Sequence, residues 1–305
     1  MGFLLGAVDW VAERSKCPRP GIWSYGTGPH KGGGRVGNAE SRMKKRGHRE
    51  LVVFGRRAVR EALDQDARDL EVCEVWVAKS VPAPFRADLL AACRKSGIDL
   101  RVGTPAQVRA LSGEPRHDQG VAARIRLGRV IDVTTYLEAQ KGKAARQPKR
   151  LIALDGVTNS QNIGLVVRTL VACGLGGILW PKIGSPWVNG LAIKASASAL
   201  YRCNILCCET LAEGLMELKV AGFEVAGLTH PEGSNLFEHE LPHRSVLVAG
   251  SETKGLSREV TEMLDRRLSI PLQGPVESLN VAVAVSLACY KAAGTISGQP
   301  LKGAR

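Results

Sequence analysis

From Leu51 onward the apolar positions fall into short runs whose period keeps changing. LVVFG is an apolar strand that turns at Gly55, and RRAVREALDQ then spaces Ala58, Val59, Ala62 and Leu63 along one side of a helix. EVCEVWVAK sets Val72, Val75 and Val77 among polar residues as a strand. FRADLLAACRKSG predicts a helix closed by Gly97, and IDLRVG a strand. TPAQVRALSG predicts a helix capped by Thr104 with Pro105 in its first turn, and GVAARIRL a closing strand. Together they make a small α/β domain over residues 49–128, of a size that folds readily.

The pattern lapses over DVTTYLEAQKGKAARQPKR, read as a linker (129–149) with one short helix before its basic, proline-containing end. It resumes at Arg150. RLIALDG, GGILWP, CNILCC, FEVAGLT, SVLVAGS and LSIPL are apolar strands. GLVVRTLVACG, ending at Gly174, TLAEGLMELKVAG, ending at Gly222, and the apolar SLNVAVAVSLACYKAAG are helices, with further helical segments in SPWVNGLAIKASASALYR. Strands that alternate with helices predict a largely parallel sheet covered on both faces, here over 150–298. Residues 1–48, rich in Gly, Pro, Lys and Arg, have neither period and read as a flexible basic arm. Residues 299–305 read as a tail.

Composition adds direction. Among 305 residues the formal net charge is +13, which suggests a polyanionic partner; a basic tail that only aids solubility is the alternative. Aromatics make up 5%, too few for a long base-stacking platform. The eight cysteines include no CxxC pair, and adjacent Cys207 and Cys208 cannot share a metal or disulfide with good geometry. A reducing compartment with no disulfide framework and no zinc site is expected. No apolar run reaches membrane-span length, and MGFLLGAVDW carries Asp9 where a signal peptide's core would continue, so the expected location is cytoplasmic.

Three segments of the second domain carry candidate chemistry. TNSQNIGLVVRTLVACG holds Asn162, Gly164 and Arg168, read as a strand-to-helix turn with Arg168 about one turn into the helix. VLVAGSETKGLS holds Gly250, Ser251, Glu252 and Gly255, a tight loop after a strand that lacks both the Walker spacing and the GxGxxG turn. LSIPLQGPVESLNVAVA holds Ile270, Pro271, Gly274, Ser278, Leu279 and Asn280, with Ser278 and Asn280 at a helix start where orphan amide donors favour an acceptor. Singly, the first reads better as a helix cap with a surface arginine, the second is weak because glycine turns after strands are common, and an ordinary serine cap explains Ser278 but has less to say about Asn280.

In this order and at these spacings the three segments resemble the SpoU–TrmH family of RNA 2′-O-ribose methyltransferases, of the SPOUT class. The first domain is similar to the family's RNA-binding extension, itself like small ribosomal-protein domains, with FGRRAVREAL and HDQGVAARI at its two ends. The resemblance implies an α/β catalytic domain with a trefoil knot, homodimerisation, and S-adenosyl-L-methionine as methyl donor. It implies a donor site near Leu228 and Thr229, from Gly250 to Gly255, and along Ile270, Leu272 and Leu279. It assigns Arg168 to the ribose hydroxyl, with Asn162, Ser278 and Asn280 arranging the site; Glu252 is read as bracing its loop, in preference to acting as a base. Because guanidinium stays protonated, Arg168 is expected to hold a phosphate and stabilise the developing alkoxide instead of acting as a base. Arg56 and Arg57, cations at a helix start, are the expected RNA contacts of the first domain.

The extension favours large-subunit rRNA as substrate over tRNA, and a non-catalytic RNA-binding or assembly factor is the rival from another class. Three departures stand out: Asn159-Ser160 where Asp-Pro is common, Ala282 where serine is common, and Asp118 where histidine is frequent, with His117 before it. His230 is a weaker candidate for donor or RNA contact and more simply a surface residue, and Lys254 reads equally as an RNA phosphate contact or a plain surface lysine.

Overall fold

A computed structural model of the chain describes residues 50–65, 69–140, 149–184 and 189–294. The basic arm, the tail and the basic half of the expected linker lie outside them.

The first domain is a four-stranded sheet in the order β1-β4-β2-β3, formed by β1 (Glu50–Phe54), β2 (Leu70–Ala78), β3 (Leu100–Gly103) and β4 (Val121–Leu127). β4 runs antiparallel to both neighbours, β2 and β3 are parallel, and a bulge at Cys73 shifts the β2 register. Helices α1 (Arg56–Leu63), α2 (Ala83–Lys95) and α3 (Pro105–Ser112) accompany it. Thr104 caps α3 in a reciprocal box with Gln107, and Gly113 ends it at φ 66°, as the sequence pattern requires. The polar face of this sheet is a ladder of ion pairs. Arg126 bridges Glu50 and Glu71, and Glu74 takes Arg124 and Arg101, the latter stacked on Trp76.

The second sheet has eight strands, all parallel, in the order β10-β12-β9-β11-β6-β7-β8-β5. They are β5 (Val130–Asp132), β6 (Lys149–Asp155), β7 (Gly177–Pro181), β8 (Ile205–Cys208), β9 (Glu224–Leu228), β10 (Ser234–Asn235), β11 (Arg244–Gly250) and β12 (Arg266–Ser269). β5 comes from the stretch read as a linker. Its three residues pair with β8 and lead straight into α4 (Val133–Ala139), so this part of the connection is the edge of the second sheet. Periodicity missed it because three residues are too few to show a period.

Both faces are covered, so strands read as unbroken apolar runs. On β6, Ile152 and Leu154 face one core with α5 (Ser160–Ala172) and α9 (Val281–Ala292). Leu151 and Ala153 face the other, with α4, α7 (Leu211–Val220) and α8 (Arg258–Met263). Cys93, Cys203, Cys207, Cys208 and Cys289 are buried as small apolar groups, and the described cysteines form no disulfide. Desolvation pushes the Cys203 thiol up to about 12.

The first core also runs into the four-stranded sheet through α6 (Gly190–Ala195) and the 3-10 turn Ala199–Arg202. Gly190 sits so tightly on β1 that a Cβ there would lie 2.3 Å from the Phe54 ring. Tyr201 donates its hydroxyl to the Ala58 carbonyl (3.3 Å), and the Ser198 hydroxyl bonds the Glu61 carboxylate.

Candidate functional site

Because every strand of the large sheet points the same way, β6, β9, β11 and β12 all end at one edge, at Asp155, Leu228, Gly250 and Ser269. Ligands of open parallel sheets bind at that edge, where loops diverge. Here the loops after β9, β11 and β12 enclose a cavity of about 250 Å³. Leu228, Thr229, Gly250, Gly255, Ile270, Leu272 and Leu279, the seven residues expected to hold a cofactor, all line it, as do Ser278 and Glu252.

The β11 loop is shaped by two glycines of different kinds. A Cβ on Gly250 would fall 2.1 Å from the Gly255 carbonyl carbon and 2.4 Å from the Leu256 nitrogen, so the loop folds back onto a bare backbone. Gly255 has open space but takes φ 66°, a left-handed conformation, and its N–H donates to the Ser251 carbonyl (2.9 Å). Asp155 at the end of β6 holds the far side of the loop by accepting from Ser257 N–H (2.6 Å).

Behind the cavity a polar triangle joins three segments far apart in the chain. The Asn162 side-chain amide donates to Glu252 Oε1 (2.8 Å). Asn280 Nδ2 donates to the same oxygen (3.1 Å) and to Asn162 Oδ1 (3.2 Å), and Val281 N–H also reaches Glu252 Oε1 (3.4 Å). Asn280 in turn caps α9 by accepting from Ala282 N–H (2.9 Å). Asn162 is buried, so its amide has little access to bulk water and depends on these partners. Asn162, Asn280 and Val281 thus all bond to Glu252, and neither asparagine lines the cavity itself.

Arg168 is placed differently from the expectation. α5 starts at Ser160, capped by Asn159, whose Oδ1 accepts from Gln161 N–H (2.8 Å) and Asn162 N–H (3.3 Å). Arg168 therefore lies more than two turns into the helix, exposed, with no hydrogen bond or ion pair to another described residue. Gly164 sits inside α5 too. A Cβ there would be 2.5 Å from Ala195 Cβ and 2.6 Å from the Ala192 carbonyl oxygen, so this glycine permits helix–helix contact with α6. Its spacing from Asn162 suggested a turn because close packing between helices leaves no local signature.

The first-domain arginines have partners within the fold. The Arg56 guanidinium lies over the Phe85 ring at 5.6 Å with its Nε buried, and Arg57, exposed, pairs with Glu61 (2.7 Å). Asp118 is buried and turns the 112–120 loop, accepting from Gly120 N–H (2.8 Å) and Ser112 Oγ (3.2 Å). Ala282 is buried on α9 away from the cavity, so the hydroxyl missing there belongs to helix packing.

Asp155 and Glu277 belong to none of the three sequence segments' named candidates, and His230 reads there as a donor or RNA contact or, more simply, a surface histidine. His230 is exposed and also lines the cavity, with Glu277. The Asn-Ser pair before an apolar helix was the available signal for Asn159.

The cavity suits an adenosine-based sulfonium donor. Leu268, Ile270, Leu272 and Leu279 offer an apolar wall, Gly250 leaves backbone accessible, and among the described residues no lysine or arginine lines it to oppose a cation. Among the described residues no cluster of His, Cys, Asp or Glu could hold a metal ion, and no helix is long and apolar enough to cross a membrane.

Residues 149–290 match the SpoU rRNA Methylase family, and residues 52–129 match the RNA 2′-O ribose methyltransferase substrate binding family. A 23S rRNA (guanosine-2′-O-)-methyltransferase RlmB of Xylella fastidiosa (strain 9a5c) is 32% identical over 243 residues, 79% of this chain and 94% of the relative. This chain belongs to the SpoU rRNA methylase family. A similar RlmB of Xanthomonas campestris pv. campestris is 31% identical over the same share of each chain. The fold matches the crystal structure of the SpoU methyltransferase AviRb from Streptomyces viridochromogenes in complex with AdoMet. That comparison has a TM-score of 0.66 at 20% identity and covers 87% of this chain and 96% of the other.

Proposed function

We propose that this SpoU-family chain transfers a methyl group from S-adenosyl-L-methionine to a ribose 2′-hydroxyl of large-subunit rRNA, on a guanosine as the RlmB relatives are named to do. The observation that carries the reading is the cavity at the ends of β9, β11 and β12, whose lining includes all seven residues expected to bind the donor. When bound, S-adenosylmethionine supplies a methyl group already activated by its sulfonium.

The protein's own part is positioning. The triangle of Asn162, Glu252 and Asn280 ties α5, the β11 loop and the start of α9 into one frame, so Ser278 and Leu279 keep their place beside the cavity. Arg168, uncommitted within the fold, holds a substrate phosphate and stabilises the alkoxide as the hydroxyl proton leaves to a phosphate oxygen or water.

Dimerisation is part of the same proposal. Leu165 on α5 and Val283 and Tyr290 on α9 are exposed large apolar side chains on two helices that pack together. Arg168 follows Leu165 by one helical turn. A second copy seated on this face would bring Arg168 to the seam, giving an RNA site built from both subunits. The small domain is proposed to bind RNA, with exposed Arg57 better placed than Arg56. The knotted path and a cytoplasmic location belong to the proposal as well.

The test is transfer of labelled methyl from S-adenosylmethionine to total RNA from a strain lacking this gene, followed by mapping of ribose methylation. Label at one guanosine 2′-oxygen of large-subunit rRNA is expected. Label confined to tRNA overturns the substrate, and no label from protein that binds donor and RNA overturns the enzyme.

A further inference from the structure

The described cavity is lined by two carboxylates, Glu252 and Glu277, one histidine, His230, and no lysine or arginine. The carboxylates differ in what they already do. Glu252 Oε1 accepts from Asn162 Nδ2, Asn280 Nδ2 and Val281 N–H, so that oxygen is taken up by the frame. Glu277, an exposed residue that also lines the cavity, lies on the β12-to-α9 loop directly before Ser278 and Leu279, and makes no hydrogen bond or ion pair with any described residue. An unpaired carboxylate on the wall of a ligand cavity with no cation to balance it favours a positively charged ligand.

We infer that Glu277 reads the sulfonium charge of the methyl donor, making the cavity prefer the charged donor over the neutral thioether left after transfer. The inference rests on the S-adenosylmethionine reading above and adds a residue and a selectivity to it. The charge balance gives the reason. When the methyl group passes to the ribose oxygen, which gives up its proton to a phosphate oxygen or water, the electron pair of the broken carbon–sulfur bond would stay on sulfur and cancel the positive charge, while the ammonium and carboxylate of the methionine portion are unchanged. Donor and product therefore differ at one charge and one methyl group. A carboxylate facing that charge attracts the donor and loses its attraction once transfer is complete, which favours exchange of product for fresh donor. Glu277 is a specificity residue in this account and takes no part in proton transfer.

The experiment is calorimetric titration of the full chain and of Glu277→Gln with S-adenosylmethionine, S-adenosylhomocysteine and sinefungin, which carries an ammonium in place of the sulfonium. The variant is expected to bind S-adenosylmethionine and sinefungin about tenfold more weakly, about 1.4 kcal/mol, and S-adenosylhomocysteine within about twofold of wild type. Glu277→Asp, which keeps the charge, should recover part of the preference. Wild-type protein provides a readout independent of any variant: its preference for donor over product should shrink as salt is raised, and should not in Glu277→Gln. Equal weakening for all three ligands, or none, overturns the inference. Failure of wild-type protein to bind any of the three overturns the donor reading itself.

Discussion

Single residues in this protein differ in whether their neighbours can move. Gly250 faces backbone at 2.1 to 2.4 Å, which cannot give way, whereas Gly255 faces open space and needs only its left-handed φ. Gly250→Ala should therefore distort the β11 loop and weaken S-adenosylmethionine binding by more than about tenfold, whereas Gly255→Ala should cost about 1 kcal/mol of stability. Titration calorimetry and thermal melts of both variants separate the two effects. The Asn162–Glu252 contact is equally specific about charge. Asn162→Asp keeps the acceptor for Asn280 but sets a second carboxylate against Glu252, and burial and like charge would raise the pKa of the new pair in the folded state. The sign follows: the penalty is absent below the unfolded carboxylate value of about 3.9 and grows as pH rises through the raised folded value. Urea denaturation near pH 4 and pH 8 should show the variant close to wild type at the lower pH and several-fold less stable at the higher. Equal loss at both would contradict the argument.

At the scale of elements, helix ends and strand ends carry the site. Asn159 satisfies two orphan donors of α5 and thereby fixes where Asn162 enters the triangle. Asn159→Ala should cost about 1 kcal/mol and also weaken donor binding, although Asn159 does not line the cavity. A loss of stability with unchanged donor affinity would show that the cap and the site are independent. On the opposite face Asp265 clasps α7 to the start of β9, accepting from Lys219 Nζ (2.7 Å) and Val225 N–H (2.8 Å). Burial alone would raise this carboxyl, but the hydrogen bonds from Lys219 and Val225 outweigh it and hold it below its ordinary value. A depressed folded-state value means that its stabilisation is present above the unfolded pKa and is lost as pH falls through the folded one. Asp265→Asn should then be about 1 kcal/mol less stable than wild type near neutrality, with the difference closing towards pH 3 in denaturant titrations.

In the molecule as a whole, the four-stranded domain and the eight-stranded domain share one core, and α6 with its 3-10 turn is the contact. Ala197 and Ser198 both take positive φ there, 47° and 63°, costly conformations for non-glycine residues that persist because packing on each side determines them. Gly190→Val would push a branched side chain against Phe54 and the Val52 carbonyl. The expected result is a melting transition that splits in two, with protease sites opening between the domains; one unchanged transition would show the contact to be dispensable. The exposed Leu165, Val283 and Tyr290 support a different whole-molecule outcome. Val283→Glu should convert a dimer to monomer in sedimentation while leaving the secondary structure intact by circular dichroism. A wild-type monomer would remove the dimer from the proposal.

The alternation of apolar strands with helices was legible in the chain because a parallel sheet covered on both faces needs unbroken runs such as LIAL and VLVAG. The glycines at 250 and 255 and the Ser-Leu-Asn at 278–280 were legible because strand-to-loop and loop-to-helix turns leave local marks. Residue order and spacing also identified the family. Three things required the tertiary structure. β5 is too short to show a period, and becomes a strand only by pairing with β8. Gly164 is a helix-contact residue only because α6 lies against α5. Asn162, Glu252 and Asn280 become one unit only when loops 90 and 28 residues apart converge on a single carboxylate oxygen. Local pattern records what each segment requires of its own backbone; which segments meet is decided by sheet order and burial, and those are properties of the whole chain.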